Sequence, residues 1–336
     1  MGRKPSSPGC APSWYLEKDG LVRLFVTGGA GFIGSNLTER LIAEGHAVTV
    51  YDNLSNGSRA FLPKAEGETF RFVEADLLSL DVLTEAIQNH DAVFHLAANS
   101  DITESRRQSD LDLRLGTIAT YNVLEAMRRT GLRQLIFSSS SVVYGEPSIV
   151  PTPEDYGPLF PISLYGASKL SCEALISAFC HNYDFQAWIF RFANICGRHG
   201  THGVLVDFIR KLKHNSGSLQ VLGDGKQAKP YLHVDDCVDG ILFGWNRSKD
   251  QLNYFNLGCE GNTNVTKIAR MLLDAMGLEN VPLEYTGGAR GWIGDVPQVR
   301  LDCKKLEQAG WRARMSSDEA VKLACEQLVS ELACKS

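Results

Sequence analysis

The chain has 336 residues, 44% hydrophobic and 22% charged, the balance of an ordinary globular protein with room for a sizeable core. Its net charge of −5, without a basic run, argues against nucleic acid as a partner. No apolar stretch approaches the ~20 residues that cross a bilayer. Nine scattered cysteines without a C-x-x-C pair argue against a disulfide framework or a zinc site, so a cytoplasmic protein with no membrane partner and no metal is expected.

Residues 1–20, MGRKPSSPGCAPSWYLEKDG, are rich in Pro, Ser and Gly and lack the apolar core of a signal peptide, so a flexible tail is expected. Gly2 and Ser6 fit a myristoylation pattern too short to carry an assignment. From Leu21, LVRLFVTG reads as a strand stopped by glycines, and SNLTERLIAEG follows with helical spacing of Leu37, Leu41 and Ile42. AVTVYDN, FRFVEAD, AVFHLAA, QLIFSSS and AWIFRFAN are further strands. DVLTEAIQNH, TIATYNVLEAMRRTG and SKLSCEALISAFCHNY are the helices between them. Such alternation predicts an α/β fold with a parallel, doubly wound sheet.

After Asn194 the alternation weakens. HGVLVDFIRKLKHN, NVTKIARMLLDAMG and SDEAVKLACEQLVSELA read as helices, and LQVLGDGKQAKPYLHVDD as two strands around a Gly-rich turn. The expected organisation is a dinucleotide-binding domain over 21–193 and a mainly substrate-binding lobe over 194–336, with segments returning to the main sheet.

TGGAGFIGSN stands between the first strand and the first helix, with Gly28, Gly31 and Gly34 spaced as a dinucleotide fingerprint: a backbone that lets a pyrophosphate approach a helix N-terminus. Asp52 ends the second strand, eighteen residues beyond Gly34, where a carboxylate can accept from the adenosine ribose. That carboxylate would repel a 2′-phosphate, and Asn53 follows where a basic residue would be wanted. NAD is therefore expected over NADP, on a Rossmann-type sheet.

FSSSSVVYGE ends a strand in four serines, and SLYGASK places Tyr165 and Lys169 four apart, on one helix face. A phenol with pKa near 10 is a poor base at neutral pH, and an adjacent ammonium together with a cationic nicotinamide ring is expected to bring it down.

With TGGAGFIGSN, YDNLSNG, EADLLS, HLAA, FSSSSVVYGE, YGASK, RFANICG, GDGKQAKPYLHVDD and RGWIGDV, the chain from Leu21 to about Leu328 resembles the extended short-chain dehydrogenases/reductases, in particular the NAD-dependent nucleotide-sugar epimerases and dehydratases. The resemblance implies Tyr165 as base, Lys169 as its ammonium partner, and Ser140, third of the four serines, as proton relay. Ser138, Ser139 and Ser141 then mostly fasten the turn. It implies cofactor contacts at Gly28, Gly31, Phe32, Ile33, Gly34, Asp52, Asn53, Ser55, Asn56, Gly57, Asp76, Leu77, Leu96, Ala97, Ala98, Ser138, Tyr165, Lys169 and Phe192. Substrate contacts are implied at Ser100, Ser140, Ser141, Val142, Tyr165, Asn194, Val204, Lys229, Tyr231, Arg290, Asp295 and Val299. A homodimer through the helices around 116–129 and 168–181 is also implied.

Within that group, 4,6-dehydratases carry an Asp-Glu pair after the catalytic Ser/Thr, and xylose-forming decarboxylases keep the Glu. This chain has Ser141 and Val142, the valine expected to be strand packing. The resemblance is therefore greatest to UDP-galactose (UDP-glucose) 4-epimerases, acting on a UDP-hexose or UDP-N-acetylhexosamine through a transient 4-keto sugar. A dehydratase, decarboxylase or 4-ketoreductase remains the alternative, and a non-catalytic NAD-sensing regulator a lesser one. Lys229-Pro230 in place of Arg-Asp, Leu113 in place of Asn, and an extra residue between Arg290 and Gly294 depart from the pattern.

Overall fold

Arg23–Thr27 (β1) is apolar toward both faces, with Leu24, Phe25 and Val26 fully buried, as expected of a parallel strand covered by helices on each side. The computed structural model describes residues 21–99, 104–288 and 299–333; the expected tail and the sites at Ser100, Arg290 and Asp295 lie outside the described residues. After β1 come Phe32–Ala43 (α1), Ala47–Asp52 (β2), Phe70–Glu74 (β3), Leu80–Ala86 (α2), Ala92–His95 (β4), Ala119–Thr130 (α3), Gln134–Ser140 (β5), Leu164–Tyr183 (α4) and Gln186–Phe192 (β6). Asn194–Cys196 (β7), Val204–His214 (α5), Leu219–Val221 (β8), Ala228–Lys229 (β9), Tyr231–His233 (β10), Val234–Arg247 (α6) and Leu252–Leu257 (β11) follow. Thr263–Asn264 (β12), Val265–Ala275 (α7), Leu283–Tyr285 (β13), Lys304–Ala309 (α8) and Ser317–Ala333 (α9) complete the described chain.

The main sheet has seven parallel strands in the order β11-β6-β5-β4-β1-β2-β3. The chain winds outward from β1 to β3 and then returns to β4 on the other side of β1. That reversal opens a crevice at the carboxyl ends of β1 and β4, the ligand position of doubly wound sheets. On one face Leu37 and Leu41 of α1 pack with Cys237, Ile241 and Trp245 of α6. On the other, Val123 and Met127 of α3 pack with Cys172 and Ile176 of α4. A third core joins α5, α7 and α9 through Phe208, Leu272 and Val321.

Several expectations change in detail. AWIFRFAN is split: β6 ends at Phe192, and Asn194 leaves the sheet on β7, which pairs with β10. LQVLGDGKQAKPYLHVDD does not fold back on itself. β8 pairs with β13, β9 with β12 and β10 with β7, and His233 caps α6, which takes up VDD. Val142 lies in a 3-10 turn, Ser141–Tyr144, and not in a strand, because Ser140 Oγ accepts from the Val142 amide and turns the chain out of β5. The helix predicted from Thr117 begins as a π-turn, Leu113–Ile118.

Candidate active site

The glycine loop is built by close approach. Gly28 has φ +68°, and a Cβ there would stand 2.6 Å from the Ala97 amide nitrogen of the chain leaving β4. A Cβ on Gly34 would meet the Gly28 carbonyl at 2.1 Å. Gly31 caps α1 with no side-chain hydrogen bond, so the amides of the first turn are left for a ligand. Asp52 is 9% exposed; its carboxylate accepts from the Ala30 amide at 3.0 Å and the Leu54 amide at 2.8 Å. Burial pushes its pKa up and these two bonds pull it back. Asp76, across the cleft floor, accepts from Asn53 Nδ2 and the Leu78 amide.

All nineteen residues expected at the cofactor line this one cleft. Its walls also include Tyr51, Ala75, Asn99, Leu115, Ala119, Ser139, Thr201 and His202. Tyr51 and Ala75 are neighbours of the expected Asp52 and Asp76. Thr201 and His202, on the loop after β7, carry no sequence signal, since only the fold brings that loop over the cleft.

At the other end, Ser140 is hydrogen-bonded to the half-buried Tyr165, and Lys169 Nζ lies 5.8 Å from the centre of the Tyr165 ring. Lys169 Nζ donates to the Ser138 carbonyl at 2.6 Å and stands 4.8 Å above the Phe137 ring. Ser138 Oγ donates to the His95 carbonyl, and Ser139 Oγ to Glu173 Oε1. The serine cluster thus divides its work: Ser140 meets the phenol, Ser138 holds the lysine through its backbone, and Ser139 anchors α4.

Burial pushes Lys169 down to about 8, with Cys172, Glu173 and Asp112 pulling it back. The expected depression of Tyr165 is not produced by the protein groups. Burial pushes the phenol up, the Asp112 carboxylate and Cys172 add to that, and only the Ser140 hydrogen bond works against it. The physical reason is that desolvation outweighs an ammonium turned toward the Ser138 carbonyl.

Among the expected substrate residues, Asn194 and Tyr231 stand opposite each other on β7 and β10. Ser141 and Val142 are half-buried in the 3-10 turn, Val204 opens α5, Lys229 lies on β9, and Val299 is half-buried beside Arg300. Apart from Tyr165, none of these lines the cofactor cleft.

A model of the NAD dependent epimerase/dehydratase family matches residues 24–258. The chain belongs to that family. The cleft fits the dinucleotide: glycines where a Cβ would clash, bare helix amides, and a buried carboxylate at the end of β2. Over 309 residues it is 32% identical to the UDP-glucose 4-epimerase of Mycolicibacterium smegmatis, covering 89% of this chain and 96% of the relative. A UDP-glucose 4-epimerase from Thermotoga maritima, solved with UDP-glucose, superposes with TM-score 0.83 at 31% identity, covering 93% of this chain and 100% of that one. A dTDP-glucose 4,6-dehydratase from Streptomyces venezuelae, with NAD and TYD bound, superposes with TM-score 0.84 at 25% identity, over 93% and 98% of the two chains. The architecture is therefore shared by epimerases and dehydratases, and the residues around Tyr165 have to separate them.

Proposed function

We propose that this protein is an NAD-dependent nucleotide-sugar 4-epimerase acting on a UDP-hexose or UDP-N-acetylhexosamine. One observation carries the choice: the 3-10 turn after Ser140 presents Ser141 and Val142, neither of which exchanges a proton at neutral pH. Removal of water or of a carboxyl group needs an acid or base there; oxidation and reduction at C4 do not.

NAD, when bound, supplies the hydride acceptor and a positive ring. The chain supplies the rest. Tyr165 takes the proton of the sugar 4-OH and later returns it, Ser140 orients the phenol, and Lys169 contributes positive charge from the same helix face. Asn194 and Tyr231, adjacent across β7 and β10, are assigned to the substrate side, with Lys229 as a point charge for the diphosphate.

The reading extends to a cytoplasmic homodimer. Tyr121 on α3 and Tyr183 on α4 are 44% and 43% exposed and flank Phe179, an aromatic strip suited to a second copy. The test is incubation with UDP-glucose, UDP-galactose and their N-acetylhexosamine analogues, followed by proton NMR. Interconversion at C4 is expected, abolished in Tyr165→Phe with dinucleotide still bound. A product lighter by water or carbon dioxide would overturn the assignment.

A further inference from the structure

Gly116 and Ser168 determine where Asp112 stands. Gly116, inside the π-turn, lies so close to α4 that a Cβ would be 2.1 Å from Ser168 Oγ. Ser168 Oγ donates to the Asp112 carbonyl at 2.8 Å and lies 3.1 Å from Thr117 Oγ1. An inserted hydroxyl of this kind accompanies a π-turn, a feature frequent at functional sites. It pins Asp112 against the residue that precedes Lys169.

The Asp112 side chain is 2% exposed. Its Oδ1 accepts from Asn99 Nδ2 at 3.0 Å, and Asn99 Nδ2 also donates to Ser105 Oγ. Its Oδ2 is buried and has no hydrogen-bond partner among the described residues. A buried carboxylate oxygen without a donor is costly unless a nearby charge compensates it.

We propose that Asp112 is a positioning residue for the Tyr165–Lys169 pair, its carboxylate being the buried counter-charge that keeps Lys169 an ammonium and restrains ionisation of the phenol. This rests on the reading of Tyr165 as the acid–base group. A phenol that must both take and return a proton works best with its affinity near the working pH. Lys169 and a cationic nicotinamide both favour phenolate; Asp112 offsets them.

Among the described residues, the other groups facing the pair do not offer an uncommitted counter-charge. Ser140 on β5 favours phenolate, His95 on β4 is held neutral by burial, and burial keeps the Cys172 thiol protonated. Glu173 also favours the Lys169 ammonium, but its carboxylate is committed to Ser139 and the Arg191 fork. Among the described carboxylates facing the pair, Asp112 is the one with an oxygen to spare.

The test is the pH dependence of kcat/KM in NAD-loaded Asp112→Asn, which keeps the shape and an acceptor for Asn99 Nδ2. Loss of the negative charge weakens proton binding at both Tyr165 and Lys169, so both limbs are expected to move to lower pH by about one unit, tenfold in proton affinity. Asp112→Glu should return them toward wild type. A slower Asn variant with unmoved limbs would mean that Asp112 only holds Asn99, and the proposal falls. Should the Asn variant not fold, carbon-13 NMR of the wild-type Asp112 carboxyl, identified by its absence in Asp112→Glu, must show a titration step that disappears in Tyr165→Phe; no such step overturns the proposal. The two readings fail separately. Turnover surviving in Tyr165→Phe would remove the acid–base assignment, whereas a dead Tyr165→Phe with unmoved Asp112→Asn limbs removes this inference alone.

Discussion

Ser139 Oγ and Glu173 Oε1 are joined by a 2.5 Å hydrogen bond, which ties the end of β5 to the helix carrying Tyr165 and Lys169. Arg191 closes on the same carboxylate with bonds of 3.0 and 2.7 Å, and its third nitrogen donates to Tyr144 Oη and the Glu154 carbonyl. Tyr144 Oη donates in turn to Asn256 Oδ1 on β11. The helix of Tyr165 and Lys169 is thus registered against the sheet by a buried ion pair whose remaining bonds reach into the second half of the chain.

Removing Glu173 leaves the Arg191 guanidinium buried without its partner. Glu173→Ala is expected to cost about 3–5 kcal/mol, the usual penalty for breaking a buried pair. Urea unfolding of the single and the double Glu173→Ala, Arg191→Met variants measures it. The double variant should be the more stable of the two, and a loss in the single variant no larger than that of a surface pair would refute the role.

His95 predicts the acid behaviour of the fold. It is fully buried between Thr27 Oγ1 at 2.6 Å and Thr120 Oγ1 at 2.9 Å, and burial, then Lys169, lowers its pKa from 6.5 to about 3. The folded state therefore refuses a proton that the unfolded chain accepts. The resulting stability is present in full above pH 6.5 and is lost as pH falls from there toward 3, by roughly 1.4 kcal/mol per pH unit. Melting curves over that range, compared with His95→Gln, test it. The variant should show a flatter decline, and identical slopes would reject the assignment.

Asp52 predicts cofactor choice. Its oxygens hold the Ala30 and Leu54 amides, so Asp52→Ala should both loosen the loop and remove the carboxylate that repels a 2′-phosphate. NAD affinity is expected to fall about tenfold or more and the margin over NADP to narrow, each measured by titration. An unchanged ratio of the two dissociation constants would count against the carboxylate as the selector.

The main sheet was legible because its strands are short apolar runs between amphipathic helices, and a parallel sheet needs little more. The cofactor cleft was legible for a related reason: glycines and Asp52 act through local backbone geometry. What escaped depends on distant pairing. Nothing in LQVLGDGKQAKPYLHVDD shows that β8 will pair with β13, more than sixty residues away. Nor do His202 or Asp112 have a local pattern, since one is brought in by a loop and the other by a π-turn wedged open by Ser168. For Tyr165, four-residue spacing reports a neighbouring charge but not the desolvation that pushes the phenol up when only the protein groups act on it.

A substrate carrying deuterium at C4 should yield a product that keeps the label at inverted C4, with no solvent hydrogen entering C5. Ser140 and Tyr165 are hydrogen-bonded to each other; on the proposed reading they open and close one C4 carbonyl, and the hydride has no reason to leave the site between the two half-reactions. Abstraction at C5 would require a base beside the sugar, and on the proposed reading the residues there are those of the 3-10 turn, the Ser141 hydroxyl and the Val142 side chain. Asp112 does not substitute for it: it is buried, does not line the cleft, and has one carboxylate oxygen bound to Asn99. Mass spectrometry of the product formed in heavy water separates the cases. One deuterium gained at C5, or loss of one water, would show that a carboxylate outside this turn reaches the sugar ring and that the chain eliminates instead of epimerising.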